Sequence, residues 1–219
     1  MHPFTDFTRN DNLLNPWVEE WKREGKKVFG YICSYVPEEI LTAFDILPLR
    51  LRARYNSSTP AADALMSPTT CSFARCALEG ALNRDYEFLD GMIGCNSCDQ
   101  SRRLYDNVRL KAPLPYHYFL SVPATYNAIT VEWLDHEFRN FIRDLENHLG
   151  ITFSMDRLRK AIDTHNRTRG LLDRLYTEKR GGDRYFPGSE VMKIVLASVS
   201  MPRGAFNDLL GPLLDETET

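Results

Sequence analysis

The chain has 219 residues, enough for one sizeable core or one and a half, and its 43% hydrophobic and 26% charged residues are ordinary for a globular protein in water. A formal net charge of -3 with no basic block gives no support to nucleic-acid binding. No apolar run approaches the roughly 20 residues that span a bilayer; residues 1–14 carry neither a basic nor an apolar signal region, and an odd count of five cysteines fits a reducing compartment, so the expectation is a cytoplasmic protein with no membrane span.

Residues 1–10 read as a loose arm, and 13–24 as a helix with Trp17 and Trp21 on one face. KKVFGYICSY (26–35) is apolar, β-branched and aromatic, which predicts a buried strand. VPEEILTAFDI (36–46) follows as a helix, with Pro37 suited to its first position and Glu38 and Glu39 in the first turn, where the macrodipole favours anions. A strand over 47–53, a loop over 54–69, a helix over 72–84 and a strand over 88–95 come next. A helix over 97–110, with Leu104, Tyr105 and Val108 inward, leads to a fourth strand over 115–123.

This alternation predicts an α/β fold: a small doubly wound, mostly parallel four-stranded sheet with helices on both faces. From residue 127 the periodicity is helical throughout, with a helix carrying Leu134, Phe138, Phe141, Ile142, Leu145 and Leu149, a second carrying Leu158, Ile162, Leu172, Leu175 and Tyr176 and ending at Gly181-Gly182, a loop over 183–188, and two shorter helices over 189–199 and 203–214. Two parts are therefore expected, an α/β part over 1–126 and a helical segment over 127–219 that has no sheet of its own.

Four of the five cysteines fall between positions 71 and 98, each near a strand-to-helix turn. In a doubly wound sheet, ligands sit beyond the carboxyl ends of the strands, and Cys33, Cys71, Cys95 and Cys98 would all lie near that edge. Cys95 and Cys98 form a C-x2-C pair, which is open between a redox dithiol, a zinc knuckle and a cluster ligand; buried structural thiols are the plainer alternative. Cys71 precedes a helix, where N–H dipoles favour a thiolate, while Cys76 lies inside that helix and reads as a packed thiol. Cys33 and the adjacent Ser34 could face a ligand or fill a tight turn. Glu38 and Glu39 could act as a general acid/base pair, although charges at a helix start explain them as simply. Arg102 and Arg103 could meet a phosphate or a partner, or sit on a solvated face. Neither G-x-G-x-x-G nor G-x-x-x-x-G-K-[ST] occurs.

Three segments, in order and at sensible spacing, resemble one family. GYICSYVPEEILTAFDILPLRL (30–51) is similar to its Y-x-P-E-E block, TTCSFAR (69–75) to its first cysteine segment, and CDQSRRLYD (98–106) to its C-D-x-x-R-R segment. The family is that of the activator-dependent 2-hydroxyacyl-CoA dehydratases (the 2-hydroxyglutaryl-CoA dehydratase D-component type) with the class I benzoyl-CoA reductase subunits. A position this block usually fills with Gly is Asp45, and Cys76 and Cys95 are extra to the pattern.

The resemblance, covering roughly residues 13–215, implies two sequential α/β domains per subunit, a second related subunit, an ATP-dependent iron–sulfur activator protein and an acyl-CoA substrate. It also implies one [4Fe–4S] cluster per subunit on three cysteines: Cys71 and Cys98 as metal ligands, with the third in a second domain beyond residue 219. Cys33 and Ser34, with Glu38 and Glu39 behind them, match the block that lines the cofactor and substrate side. The implied chemistry is one-electron reduction of the thioester to a ketyl radical, for dehydration of a 2-hydroxyacyl-CoA or for ring reduction of benzoyl-CoA. Two other expectations stand beside it: a non-catalytic partner or scaffold chain without its own cluster, and a zinc or thiol-redox module on Cys95 and Cys98.

Overall fold

A computed structural model describes Phe4, Phe7 and residues 13–53, 58–181 and 186–215. Four strands, β1 (Lys27–Tyr31), β2 (Ile46–Arg50), β3 (Gly91–Cys95) and β4 (His117–Leu120), form one parallel sheet in the order β2-β1-β3-β4. Helices alternate with them: α1 (Pro16–Arg23), α2 (Glu38–Ala43), the short α3 (Pro60–Asp63), α4 (Ser72–Leu82) and α5 (Asp99–Lys111). After β4 come α6 (Ala128–Leu149), α7 (Met155–Gly181), α8 (Gly188–Ser198) and α9 (Arg203–Asp215). The expected α/β class, the parallel four-stranded sheet and the helical C-terminal part are all present.

The sheet is buried on both faces, and the period-2 geometry of a strand sorts its side chains into two cores. Val28, Leu47, Leu49 and Met92 pack with Val18 of α1, Ala74, Ala77 and Leu78 of α4, and Leu104 and Val108 of α5. Phe29, Tyr31, Ile46, Ile93 and Cys95 face the other way, against Ile40 and Leu41 of α2 and Phe141 and Leu145 of α6. Gly94 lets α5 close onto β3, since a Cβ there would lie 2.4 Å from Cδ2 of the Tyr105 ring. Asp90, at the start of β3, accepts from the Val28 N–H and from Lys22 Nζ, both at 2.9 Å, and so pins α1 and β1 to β3.

A third core joins Leu175 of α7, Val191, Ile194 and Ala197 of α8, and Phe206, Leu210 and Leu214 of α9. Phe4 and Phe7 belong to it, at 0% and 1% exposure, which corrects the loose arm expected over residues 1–10 at these two positions. Burying each ring is worth roughly 2–3 kcal/mol, enough to offset the ordering of a residue or two at about 1–2 kcal/mol each. The remaining residues of that arm lie outside the described residues, as do 54–57 of the first expected loop and 183–185 of the second. The described part of the 54–69 loop contains α3, started by Pro60 and held where the buried Glu79 carboxylate accepts from the Ala62 N–H at 2.8 Å.

β1 ends earlier than expected. Past Tyr31 its sheet bonding gives way to a turn in which the Val36 N–H reaches Cys33 O at 3.1 Å. Pro37 caps α2 rather than opening it. α6 has a full capping box between Asn127 and Thr130 and ends on Gly150 in the left-handed region.

The turn from α2 into β2 requires a left-handed residue, and it falls on Asp45, with φ 59°. Glycine adopts that conformation freely, whereas a residue with a Cβ is strained by about 1 kcal/mol. The Lys26 contact at 3.8 Å is too long and too exposed to offset this. Asp45→Gly is expected to stabilise the fold by about 0.5–1 kcal/mol, read as a higher urea midpoint at unchanged slope; an unchanged or lower midpoint would refute the strain.

Candidate functional site

The order β2-β1-β3-β4 makes the chain leave β1 in both directions, so the sheet switches between β1 and β3. A crevice opens at such a point, beyond the carboxyl ends of the two strands. Cys33 and Ser34 follow β1 there, and Cys95 ends β3, with Ser97 and Cys98 leading into α5. Asn96 braces this loop against the one after β4: its Nδ2 donates to Val122 O at 3.0 Å, and the Val122 N–H donates to its Oδ1 at 2.7 Å.

α4 and α5 pack against one another on the same face of the sheet. Their C-terminal ends (Ala81 and Leu82, Lys111 and Ala112) line one cavity of about 320 Å³ with Leu89 and Met92, at the amino edge of the sheet. Their N-termini therefore lie at the carboxyl edge, and each is capped by a cysteine: Cys71 on α4 and Cys98 on α5, both exposed. Cys71 makes no side-chain capping bond. Cys98 does cap, its Sγ accepting from the Ser101 N–H at 3.4 Å and lying 3.3 Å from the Ser101 hydroxyl. Cys76 is half-buried inside α4.

Charge at the crevice is unevenly distributed among the thiols. The Ser101 hydroxyl bond, with its backbone N–H and that of Gln100, outweighs burial and holds the Cys98 thiol below the ordinary value. Burial pushes Cys33 upward, but hydrogen bonds from Ser97, the Tyr35 N–H, Cys95 and Ser34 outweigh it and leave its pKa lowered. Burial pushes Cys95 up and prevails over the bonds from Ser97. Among the described residues no three or more His, Cys, Asp or Glu side chains are grouped so as to hold a metal ion.

Glu38 and Glu39 belong to a different constellation. Glu38 accepts from the Tyr31 hydroxyl at 2.6 Å and is ion-paired to Arg203 of α9. Glu39 is ion-paired to Arg169 of α7, and that hydrogen bond outweighs burial to hold its carboxyl below the usual range. His165, 3% exposed, stands 3.9 Å from Glu38 and meets the Thr42 hydroxyl through Nε2 at 2.9 Å. Burial first, then Arg203, holds the His165 pKa down, which favours the neutral ring. Both glutamates are thus taken up in tying α2 to the helical part. No local pattern announced this set, because bonded partners within it, Glu38 and Arg203, are 165 positions apart in sequence.

Two outcomes check these assignments. Arg203→Ala strands the Glu38 carboxylate, only 16% exposed, and is expected to cost about 2–4 kcal/mol; a double-mutant cycle with Glu38→Gln should recover a large share, and full additivity would refute the pairing. A thiol of lowered pKa is thiolate at a lower pH, so alkylation of Cys98 should reach half its maximal rate below the ordinary thiol range. Ser101→Ala should move that midpoint upward, as followed by peptide mass spectrometry; an unmoved profile counts against the hydrogen bond.

Comparison with known proteins adds a family to this geometry. The chain is 27% identical over 197 residues to a benzoyl-CoA reductase subunit of Thauera aromatica, covering 88% of this chain and 51% of that protein. It is 26% identical over 174 residues to the (R)-phenyllactyl-CoA dehydratase beta subunit of Clostridium sporogenes, covering 78% and 46%. A third match, 25% over 154 residues, is to the beta subunit of (R)-2-hydroxyglutaryl-CoA dehydratase of Acidaminococcus fermentans, covering 69% and 41%. The chain thus spans about half the length of the curated relatives it matches. The family model "2-hydroxyglutaryl-CoA dehydratase, D-component" matches residues 33–219, from the first crevice cysteine through all the helices that follow, and the chain belongs to that family.

Proposed function

We propose that this chain is the N-terminal part of an iron–sulfur subunit in an enzyme that acts on acyl-CoA thioesters, with Cys71 and Cys98 as two ligands of a [4Fe–4S] cluster. The observation that carries the reading is the placement of two exposed cysteines at the N-cap positions of two adjacent helices, at the carboxyl edge of the sheet. Thiolates are the ligands that Fe–S clusters take, and the lowered pKa of Cys98 suits one of them. The thiols present fit part of a cluster site and not all of it, so a further ligand would come from outside this chain. When bound, such a cluster supplies one-electron reduction of the thioester to a ketyl radical, for dehydration of a 2-hydroxyacyl-CoA or ring reduction of benzoyl-CoA.

This chain's own residues would do three things. Cys71 and Cys98 hold the cluster; Cys33 and Ser34 line the crevice beside it; Glu38 and Glu39 fix the turn that carries Ser34 through Tyr31, Arg203 and Arg169. A general acid/base role for the two glutamates draws less support than this positioning role, since both carboxylates are already paired. A second related subunit finds support in the relatives' description as subunits and in the apolar side chains left open at the starts of α4 and α6: Phe73, Tyr126 and Ile129 at 41%, 92% and 79% exposure. An ATP-dependent iron–sulfur activator belongs to the same proposal.

The second reading is a partner or scaffold chain without a cluster, favoured by the lack of any three-ligand group among the described residues. A zinc or thiol-redox pair of Cys95 with Cys98 has less support, because Cys95 is buried towards α2 and α6 while Cys98 is exposed at the start of α5. Anaerobic reconstitution of the full chain with ferrous iron, sulfide and excess thiol separates these. Bound iron and acid-labile sulfide, lost in Cys71→Ala and Cys98→Ala but kept in Cys76→Ala, are expected. No bound iron would favour the scaffold, and zinc retained in Cys71→Ala but lost in Cys98→Ala would favour the zinc module.

A further inference from the structure

Cys95 stands outside the pattern that links Cys71 and Cys98, yet it is placed against another thiol. The parallel register pairs Phe29 with Gly91, Gly30 with Met92 and Tyr31 with Ile93. Two residues further along each chain are Cys33 and Cys95. Alternation puts Cys95 on the face of Tyr31 and Ile93, and Cys33 packs against that same core, beside α2 and α6. Both sulfurs therefore belong to one packed cluster, Cys95 within it and Cys33 against it. At the last ladder pair, Tyr31 with Ile93, neighbouring strands lie about 4.8 Å apart, and the two cysteines follow two residues beyond it, where the span of roughly 4.4–6.8 Å between Cα atoms that a disulfide bridges is the one closure requires. Both sulfurs are thiols here.

We propose that Cys33 and Cys95 are a reversible redox pair, closed into a disulfide across the ends of β1 and β3 by exchange with a low-molecular-weight disulfide. The two sulfurs divide the task by accessibility. Cys33 is half-buried and can be reached from the crevice, whereas Cys95 is 2% exposed and cannot. The Cys33 thiolate attacks the incoming disulfide, forming one S–S bond and releasing one small thiolate. Cys95 then attacks the Cys33 sulfur, its proton passes to the second leaving thiolate, and the internal disulfide remains. Two protein thiols are oxidised and one external disulfide is reduced to two thiols, so electrons and protons balance. Closure removes both sulfurs from the crevice and fixes the ends of the two central strands beside Ser34 and Cys98. This rests on strand register and contact, and does not depend on the cluster reading.

The test uses the full chain and oxidised glutathione under native conditions, followed by alkylation, unreduced digestion and tandem mass spectrometry. Two of the five thiols should be lost, with one crosslink joining Cys33 to Cys95 and reversed by dithiothreitol. Cys98→Ser should keep that crosslink, and Cys95→Ser should trap glutathione on Cys33. A crosslink from Cys98 to either cysteine, a link between chains, or five alkylated thiols would overturn the pairing.

Discussion

The central place of β1 is the constraint on which the rest of the molecule depends. With β2 on one side and β3 on the other, the strand that begins the sheet is also its switch point. Its carboxyl end must then open into a crevice, since the two connections leave in opposite directions. Four of the five cysteines lie along that edge: Cys33 after β1, with Ser34 beside it, Cys95 at the end of β3 and Cys98 beyond it, and Cys71 at the head of α4. The amino edge, by contrast, holds a cavity of mixed lining and the carbonyl ends of α4 and α5.

The helical part needs a different explanation, because α7, α8 and α9 have their own apolar core and could pack in many ways. Directionality comes from polar groups. Glu38, Glu39, Tyr31 and Thr42 on the sheet side meet Arg203, Arg169 and His165 on the helical side. Partly buried ion pairs add little net stability but penalise any docking that leaves a charge unpaired. A backbone bond from the Arg50 N–H to Val199 O, and Asn15 Nδ2 reaching Ser200 O at 2.8 Å, hold the α8–α9 turn against β2 and α1.

Most of the sheet layer was legible in the sequence, because strands buried on both faces read as continuous apolar runs and the helices between them carry a 3.6-residue period. The cysteine edge followed from topology alone. What escaped was non-local or too short to be periodic. α3 is four residues, and Phe4 and Phe7 sit in a polar arm whose destination lies on α9 and α8. Glu38 and Glu39 were visible as helix-start charges, but nothing near them in sequence points to Arg203 or Arg169. Asp45 was visible only as a departure from glycine, and its positive φ supplies the reason glycine suits that place.

The two faces of the sheet divide the thiols into two chemical sets. Cys71 and Cys98 stand exposed at the starts of helices that pack on the face of Val28 and Met92, and the Ser101 hydroxyl holds the Cys98 thiol below its ordinary pKa. Cys33 and Cys95 lie on the opposite face, in the core of Tyr31 and Ile93, where the two thiols share one packed cluster. The C-x2-C spacing of Cys95 and Cys98 conceals this, since Cys95 is the last strand residue and its side chain is fixed by alternation, while Cys98 lies three residues on and takes its direction from the helix it caps. A motif that reads as one pair in sequence is split by the end of a strand, and the partner of each sulfur is set by the face on which it emerges.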